Sequence, residues 1–281
     1  MARFFLIGLL ALGNILVWTL PTPHGLTVSF LNIGQGDSLF IEGPTGTQML
    51  VDAGPPDRSV LRELGSVMPF FDRSIDAVVE THPDQDHIGG IPDVLARYSV
   101  KDFLEPGIPN DTRAAQAVVA AVRRSSAQDI LARSGMRLLL GGGAYADVLY
   151  PSDADLAKIK DTNSGSIVLH VVYGANSFML TGDLPQKQEL QLVSLDGNSL
   201  HSDVLKAGHH GSKNSSALAF VQAVSPTYAV FSRGCNNRYG HPAPVVVELF
   251  QSLSIPTFDT CTQGRVTFQS DGNILEMKTQ Y

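Results

Sequence analysis

The chain has 281 residues, of which 43% are hydrophobic and 17% charged, with a formal net charge of −7 and two cysteines. That length and apolar content are enough for a sizeable core in one α/β domain. The acidic balance excludes an overall basic surface of the kind that grips long phosphate backbones. Contact with nucleic acid would need a local patch, for which Lys206, Lys213, Arg233 and Arg238 are the candidates. No internal repeat or low-complexity linker is present.

The N-terminal stretch MARFFLIGLLALGNILVWTL carries one early charge, Arg3, and an apolar run from Phe4 to Trp18. This is the length of a signal-peptide core and slightly short of a full span. No small-residue cleavage site follows, so a signal anchor over residues 1–24 is the first expectation and a cleaved signal peptide the second. Pro21 and Pro23 make the linker to the next element short and stiff.

VSFLNIGQGDSLFIEG and TQMLVDAGPP then read as two strands in a hairpin-like arrangement, the second ending in Asp52-Ala53-Gly54. Ile75, Ala77, Val78 and Val79 form an apolar run expected of a buried parallel strand. It leads into THPDQDHIGG, which places His82, Asp84, Asp86 and His87 in six positions. Two imidazoles and two carboxylates this close can converge from one tight loop, and they are the usual ligands of borderline divalent ions. Gly89 and Gly90 allow close backbone approach. Pro92 suits a first helical turn, and Val94, Leu95 and Tyr98 have helical spacing. The ligand loop therefore sits at the carboxyl end of a strand, where open α/β sheets place their chemistry.

Residues 110–134 read as a helical insert with Ala114, Ala117, Val118, Ala121 and Val122 as its core-facing stripe, followed by a strand at MRLLLGGG. Later strands end in polar clusters. Phe178–Leu180 leads to Gly182-Asp183, and Val204–Lys206 leads to His209-His210-Gly211-Ser212. NRYGHP holds His241 in a loop whose proline restricts the residue before it. His170 sits in the middle of a strand and is a poor ligand candidate. No motif for a nucleophilic Ser or Cys is found.

In FLNIGQGDSLFIE, MLVDAGP, ETHPDQDHIGGI, TNSGSIVL, FMLTGDL, VLKAGHHGS, NRYGHPAP and TQGRVTF, spread over roughly residues 27–270, the chain resembles the metallo-β-lactamase fold superfamily. Within it the resemblance is to the hydrolase domain of ComEC-type competence proteins, a DNA-uptake channel family. The resemblance implies an αββα sandwich over residues 25–281 with a metal site at one edge, and a hydrolase domain without the multi-span channel.

It also implies roles. His82 and Asp84 serve one divalent ion. Asp86 and His87 serve a second, together with a histidine of the HHGS pair, and Asp183 bridges. His209, nearer the strand end, is favoured over His210 as the ligand, leaving the other to donate a proton or touch phosphate. Asp52 accepts a hydrogen bond that orients a ligand imidazole. Asn163, Ser166, Lys206, Ser212 and Lys213 are expected to support ligands or contact substrate. His241, with Asp86 and the histidine pair, is expected at the chemistry, touching the scissile group or protonating the leaving oxygen. Cys235 and Cys261 follow strands that lie near each other in such a fold, so a disulfide is expected outside the cytoplasm.

The chain departs from the commonest pattern of the superfamily. Asp84 stands where many members have histidine, and TNSGSIVL offers Asn163 and Ser166 in place of a third histidine. The first position is thus oxygen-rich, which favours manganese or magnesium over zinc and leaves its occupancy weak or empty. Two divalent ions, zinc or manganese, are the expected cofactors. The resulting expectation is a metallo-hydrolase using a metal-bound hydroxide on phosphodiesters, with DNA as the implied substrate. The alternatives are a carboxylic ester, thioester or β-lactam hydrolase, and a non-catalytic envelope binding protein on the same fold. The expected location is a membrane-anchored, exported catalytic domain, or else a secreted or periplasmic one.

Overall fold

Alternate residues of two facing sheets meet in one apolar layer, and helices cover both outer faces. A computed structural model describes residues 25–281; the expected signal anchor or signal peptide over residues 1–24 lies outside the described residues. The first sheet holds β1 (Leu26–Phe30), β2 (Leu39–Glu42), β3 (Gln48–Val51), β4 (Ser74–Val79), β5 (Ser99–Glu105), β6 (Gln128–Leu131), β14 (Val266–Ser270) and β15 (Leu275–Thr279). The second holds β7 (Arg137–Gly141), β8 (Ala144–Tyr150), β9 (Val168–Tyr173), β10 (Asn176–Leu180), β11 (Val204–Lys206), β12 (Tyr228–Phe231) and β13 (Thr257–Asp259). Their orders are β15-β14-β1-β2-β3-β4-β5-β6 and β13-β12-β11-β10-β9-β8-β7. This is the αββα sandwich implied by the resemblance.

The two faces are visible at the end of β4: Ala77 and Val79 face the layer between the sheets, whereas Val78 between them faces the helices Ser59–Val67, Ile91–Arg97 and Arg113–Arg124, which Ile75 also joins at the strand's start. A strand buried on both faces needs the near-continuous apolar run seen in the sequence. On the other sheet the helices Gln186–Asp196, Leu218–Val224 and Pro244–Ser252 play the same part. At the centre of the inner layer the Phe268 ring lies 6.1 Å from both Phe30 and Phe178 and 5.9 Å from Tyr228.

Strand direction sets the place of the site. β3 to β6 run parallel, as do β10 to β13. Within each sheet their carboxyl ends therefore emerge together, and the loops after β3, β4, β10, β11 and β12 gather at one edge of the sandwich.

Two sequence expectations are corrected here. VSFLNIGQGDSLFIEG is two strands, not one: β1 and β2 are separated by a loop over residues 31–38. Gly36 has φ +126 and packs on the Asp86 carbonyl, where a Cβ would come within 1.9 Å of the oxygen. Only glycine permits that approach, and it breaks the strand. The insert over 110–134 is helical only from Arg113 to Arg124. Thr112 caps its start by accepting from the Ala115 N–H, and the chain then adds β6 to the sheet edge. Val118, Ala121 and Val122 are buried and Ala114 packs against the core as expected, but Ala117 is exposed and Ala115 is buried instead.

Phe268→Ala should lower the unfolding free energy by about 3–5 kcal/mol, the usual cost of emptying an aromatic site in a core. Denaturant titration measures it. A loss under ~1 kcal/mol would show that the aromatic layer is not a packing centre.

Candidate metal centre

Six loops bring the polar residues together. Asp37 comes from the β1–β2 loop and Asp52 follows β3. Thr81 to His87 follow β4, with Asp86 and His87 on a single helical turn, Gln85–Ile88. Asp183 follows β10, His209 and His210 follow β11, and Ser232 follows β12. Asp37, His87, Asp183 and His210 are all buried, and each offers a ligand atom within 4.8 Å of the others. His209 and His210 both take left-handed backbone angles, φ 50 and 56. Two such residues in succession break the strand alternation, so both imidazoles turn towards Asp183, each with Nε2 at 3.4 Å from its Oδ2.

Hydrogen bonds fix the orientation of three imidazoles. The Asp52 carboxylate accepts from the Thr81 N–H (2.8 Å), the Thr81 hydroxyl (2.7 Å) and His87 Nδ1 (2.7 Å). With its proton given to Asp52, the Thr81 oxygen accepts from His82 Nδ1 at 3.0 Å. His210 Nδ1 donates to the Ser232 carbonyl at 2.9 Å, with Asp37 Oδ1 at 3.2 Å. Each ring therefore uses Nδ1 outward and turns Nε2 inward. The Nε2 atoms of His82, His87 and His210 are all buried without a hydrogen-bond partner. This is how proteins hold histidine ligands.

The charges point the same way. Burial pushes the Asp183 carboxyl up, but His210 and His87 outweigh it and hold it well below the usual range. Against the effect of burial, Asp86 is likewise drawn down to about 2, chiefly by the His210 imidazole, whose Nε2 is 3.4 Å from its Oδ2, and by the charge of His87. Burial opposes protonation of His210, yet Asp183 and Asp37 raise it to about 9. His87 is raised well above its ordinary value by Asp183 and Asp52, again against burial. His82 is held neutral by burial and by the charge of His87. The ionised carboxylates thus favour positive charge at the centre, held as protons on His210 and His87 where a cation would take their place.

The residues fit a divalent ion. Besides the three imidazoles, Asp183 Oδ1 is buried and without a hydrogen-bond partner. Asp37, His87, Asp183 and His210 are the residues that would hold one ion, with Asp86 Oδ2 at 3.4 Å from His210 Nε2. Beside them, the His82 ring is 4.1 Å from that of His87, and its Nε2 is 3.8 Å from Asp84 Oδ2. The other Asp84 oxygen accepts from the Thr162 hydroxyl at 2.6 Å. Asn163 Oδ1 is buried and unpartnered nearby, and Asn163 Nδ2 is 3.5 Å from His209 Nδ1. This second position is oxygen-rich.

Several placements differ from expectation. Asp37 was not singled out, although GQGDS contains it. The geometry favours His210 over His209 as ligand, because His210 is buried whereas His209 is partly open to solvent. Lys206 is not a surface contact for phosphate. Its ammonium is buried, 2.5 Å from Asp37 Oδ2, 2.8 Å from the Gly182 carbonyl and 3.8 Å from Asp183 Oδ1. Ser166 Oγ accepts from the Asp183 N–H at 3.3 Å, and buried Ser212 accepts from the Asn214 N–H at 3.3 Å. Lys213 and Arg238 are exposed, while Arg233 is paired with Asp259 at 2.6 Å. His170 lies outside the centre and meets the His201 carbonyl at 3.2 Å.

His241 is beside the centre, its ring 5.6 Å from His209 and stacked on Tyr239. Asn237 clamps its backbone through two hydrogen bonds, at 2.7 and 2.9 Å. Cys235 and Cys261 form a disulfide.

The family model of the metallo-beta-lactamase superfamily matches residues 31–234. The ComE operon protein 3 of Bacillus subtilis is 33% identical over 265 residues, covering 86% of this chain and 33% of that protein. The competence protein ComA of Neisseria gonorrhoeae is 32% identical over 242 residues, covering 86% of this chain and 32% of its own length. The chain thus spans about a third of the curated relatives it matches. Among solved structures, CmlA, a diiron β-hydroxylase from Streptomyces venezuelae, matches with a TM-score of 0.59 at 16% identity, over 89% of this chain and 55% of that one. The metallo-beta-lactamase fold protein YhfI from Bacillus subtilis matches at 0.56 and 12% identity, over 86% of this chain and 99% of that one. At these identities the structures share the fold alone.

Asp52→Asn should lower divalent-metal affinity by about 10–100-fold, the usual effect of losing a partner that orients ligands, and Thr81→Val, which removes the His82 acceptor and one of the three Asp52 donors, should lower it as well. Metal titration followed by elemental analysis tests both. Metal binding should also rise with pH. His210 keeps its proton up to about 9, and a metal needs the same lone pair. Affinity should therefore climb between pH 7 and 9, by about tenfold per unit for each proton displaced. Calorimetry in buffers of different ionisation enthalpy reads the released proton; flat affinity over that range would show that none is displaced.

Proposed function

Because the chain belongs to the metallo-beta-lactamase superfamily, we propose that it is a metal-dependent hydrolase of phosphodiesters, acting on DNA or its fragments. The observation that carries this reading is the trio of buried Nε2 atoms without partners, set around ionised Asp183 and Asp86. A divalent ion there supplies positive charge for an oxyanion and lowers the pKa of water to roughly 7.

The chain's own residues divide the remaining work. Asp52, Thr81 and Ser232 hold the imidazoles in register. His209 and His241 are the half-open imidazoles, and burial lowers the pKa of both. At neutral pH they are uncharged, so each can donate an N–H to a substrate oxygen and accept a proton at the other nitrogen. Arg238, exposed beside Tyr239, is the cation placed to meet a phosphate. With a net charge of −7 and Lys206 buried, the surface favours a substrate gripped at one or two phosphates over a long duplex. Both cysteines are in the disulfide, so neither offers a thiolate nucleophile.

DNA as substrate rests on the resemblance to ComEC-type competence proteins, with ComA named a competence protein among the relatives. The disulfide supports an exported domain, and the apolar run Phe4–Trp18 supports a membrane tether. Among the described residues no helix is long and apolar enough to cross a membrane.

The metal-loaded protein should hydrolyse an activated phosphodiester, and Asp183→Ala should lose both metal and turnover. His241→Ala should keep the metal and lose about 10²–10⁴-fold in rate, as expected for a group that moves a proton. A carboxylic ester assayed in parallel separates the substrate classes. Turnover of the ester alone would replace the phosphodiester reading, and no turnover of either with metal bound would favour a binding role.

A further inference from the structure

The end of the sandwich remote from the metal centre has a chemistry of its own. β1 starts at Leu26 and runs towards the Asp37 loop, so Gly25, where residues 1–24 join, lies at that remote end. β4 also starts there. In the loop before it Phe70 and Phe71 are 77% and 89% exposed, with their rings 5.0 Å apart. Val67, three residues before Phe70, lines one cavity with Gly25 and Thr27. The exposed aromatic pair and the N-terminal junction are therefore neighbours.

Arginines accompany the pair. The Arg73 guanidinium stands 5.8 Å from the Phe70 ring, and Arg73 and Arg97 line a shared cavity with Phe70. The nearby acids are engaged by hydrogen bonds: half-buried Asp72 accepts from the Gln48 side chain and exposed Asp76 from the Gln48 N–H. Glu42 lies on β2, between β1 and β4, and Asp271 and Glu276 lie on the other side of Gly25, towards β15. Single exposed apolar side chains need no explanation. Two adjacent phenylalanines flanked by arginines, beside the point where an apolar run enters the fold, match the pattern of side chains at a membrane interface. Only residues 19–24 separate Trp18 from Gly25, a reach of at most ~25 Å when extended.

We propose that this end docks on a lipid bilayer bearing anionic headgroups, with Phe70 and Phe71 in the interface and Arg73 and Arg97 on lipid phosphates. The metal centre then faces away from the membrane, about 20 Å further out, the length of a six-residue strand. The inference rests on the membrane-tether reading given above and adds the face that the domain presents.

The test uses the full chain with Trp18→Phe, which removes the single tryptophan. Phe71→Trp is placed at the remote end and, in a separate variant, Tyr239→Trp at the metal edge. Each protein is mixed with phosphatidylethanolamine–phosphatidylglycerol vesicles, with and without brominated acyl chains. Flotation with the vesicles, strong quenching at position 71 and none at 239 are expected. Failure to float overturns the tether and the orientation together and leaves the hydrolase reading standing. Flotation with position 71 unquenched overturns the orientation alone. If position 71 is then also shielded from aqueous iodide, the apolar N-terminal run covers the pair instead of lipid. Quenching at 239 reverses the proposed orientation.

Discussion

The Asp52 carboxylate is the hub on which the candidate centre depends. It is wholly buried, so its charge is costly unless hydrogen-bonded. Burial raises its pKa, while His87 and the Thr81 N–H work against that. Its three donors all come from the segment after β4, so one side chain at the end of β3 stabilises the neighbouring ligand loop. The contact to His87 is direct, and the contact to His82 passes through the Thr81 hydroxyl. An aspartate is required because three donors converge on one group, which an amide with a single acceptor oxygen cannot satisfy. The left-handed backbone at Asp52, φ 57, is tolerated by a short polar side chain.

A second carboxylate, Asp37, joins the two sheets. It comes from the β1–β2 loop of one sheet and meets Lys206, at the end of β11 in the other. The Ser232 hydroxyl, after β12, donates to the Gly36 carbonyl at 3.0 Å in the same seam. A buried ion pair is weak evidence of net stability, because desolvation offsets its attraction. Its value here is positional. Lys206 places a fixed positive charge behind Asp37 and Asp183, so the carboxylates at this edge are partly neutralised before any metal binds. His210 shares Asp37 and Ser232 with this seam and is oriented by the residues that hold the sheets together.

What the sequence made legible was local. His82, Asp84, Asp86 and His87 declare themselves because their spacing fits one loop at a strand end, and the parallel strands around Asp183 and the histidine pair follow from short apolar runs. What it hid depended on long-range packing. Asp37 was concealed inside a segment taken for one strand, since nothing local shows that Gly36 must pack on the Asp86 carbonyl. Lys206 reads as a surface cation because its burial is set by Asp37, far away in the chain. The choice between His209 and His210 turns on two consecutive left-handed residues, which a strand-based argument does not foresee. In the helix stripe only Ala117 was misassigned, because Ala115 and Ala117 are equally apolar and only packing shows which one faces the core.

Burial grades across the centre, and the grading has a consequence. His82, His87, His210, Asp37, Asp52 and Asp183 are buried, whereas Asp84, Asp86, His209 and His241 keep some exposure. The buried set is drawn from both sheets, so it exists only when the sandwich is closed. A ligand that binds this set and not the unfolded chain is linked to folding, and it stabilises the protein in proportion to the logarithm of its concentration over its dissociation constant. The half-open set is free of that constraint. Apart from Asp86, which meets His210, it can change with substrate without disturbing the ligand frame, and Asp84, Asn163 and the loop around His241 stand in that layer. The departures from the superfamily pattern at Asp84 and Asn163 therefore fall where the fold tolerates them, while the residues that secure the imidazoles remain in the part that the sandwich itself depends on.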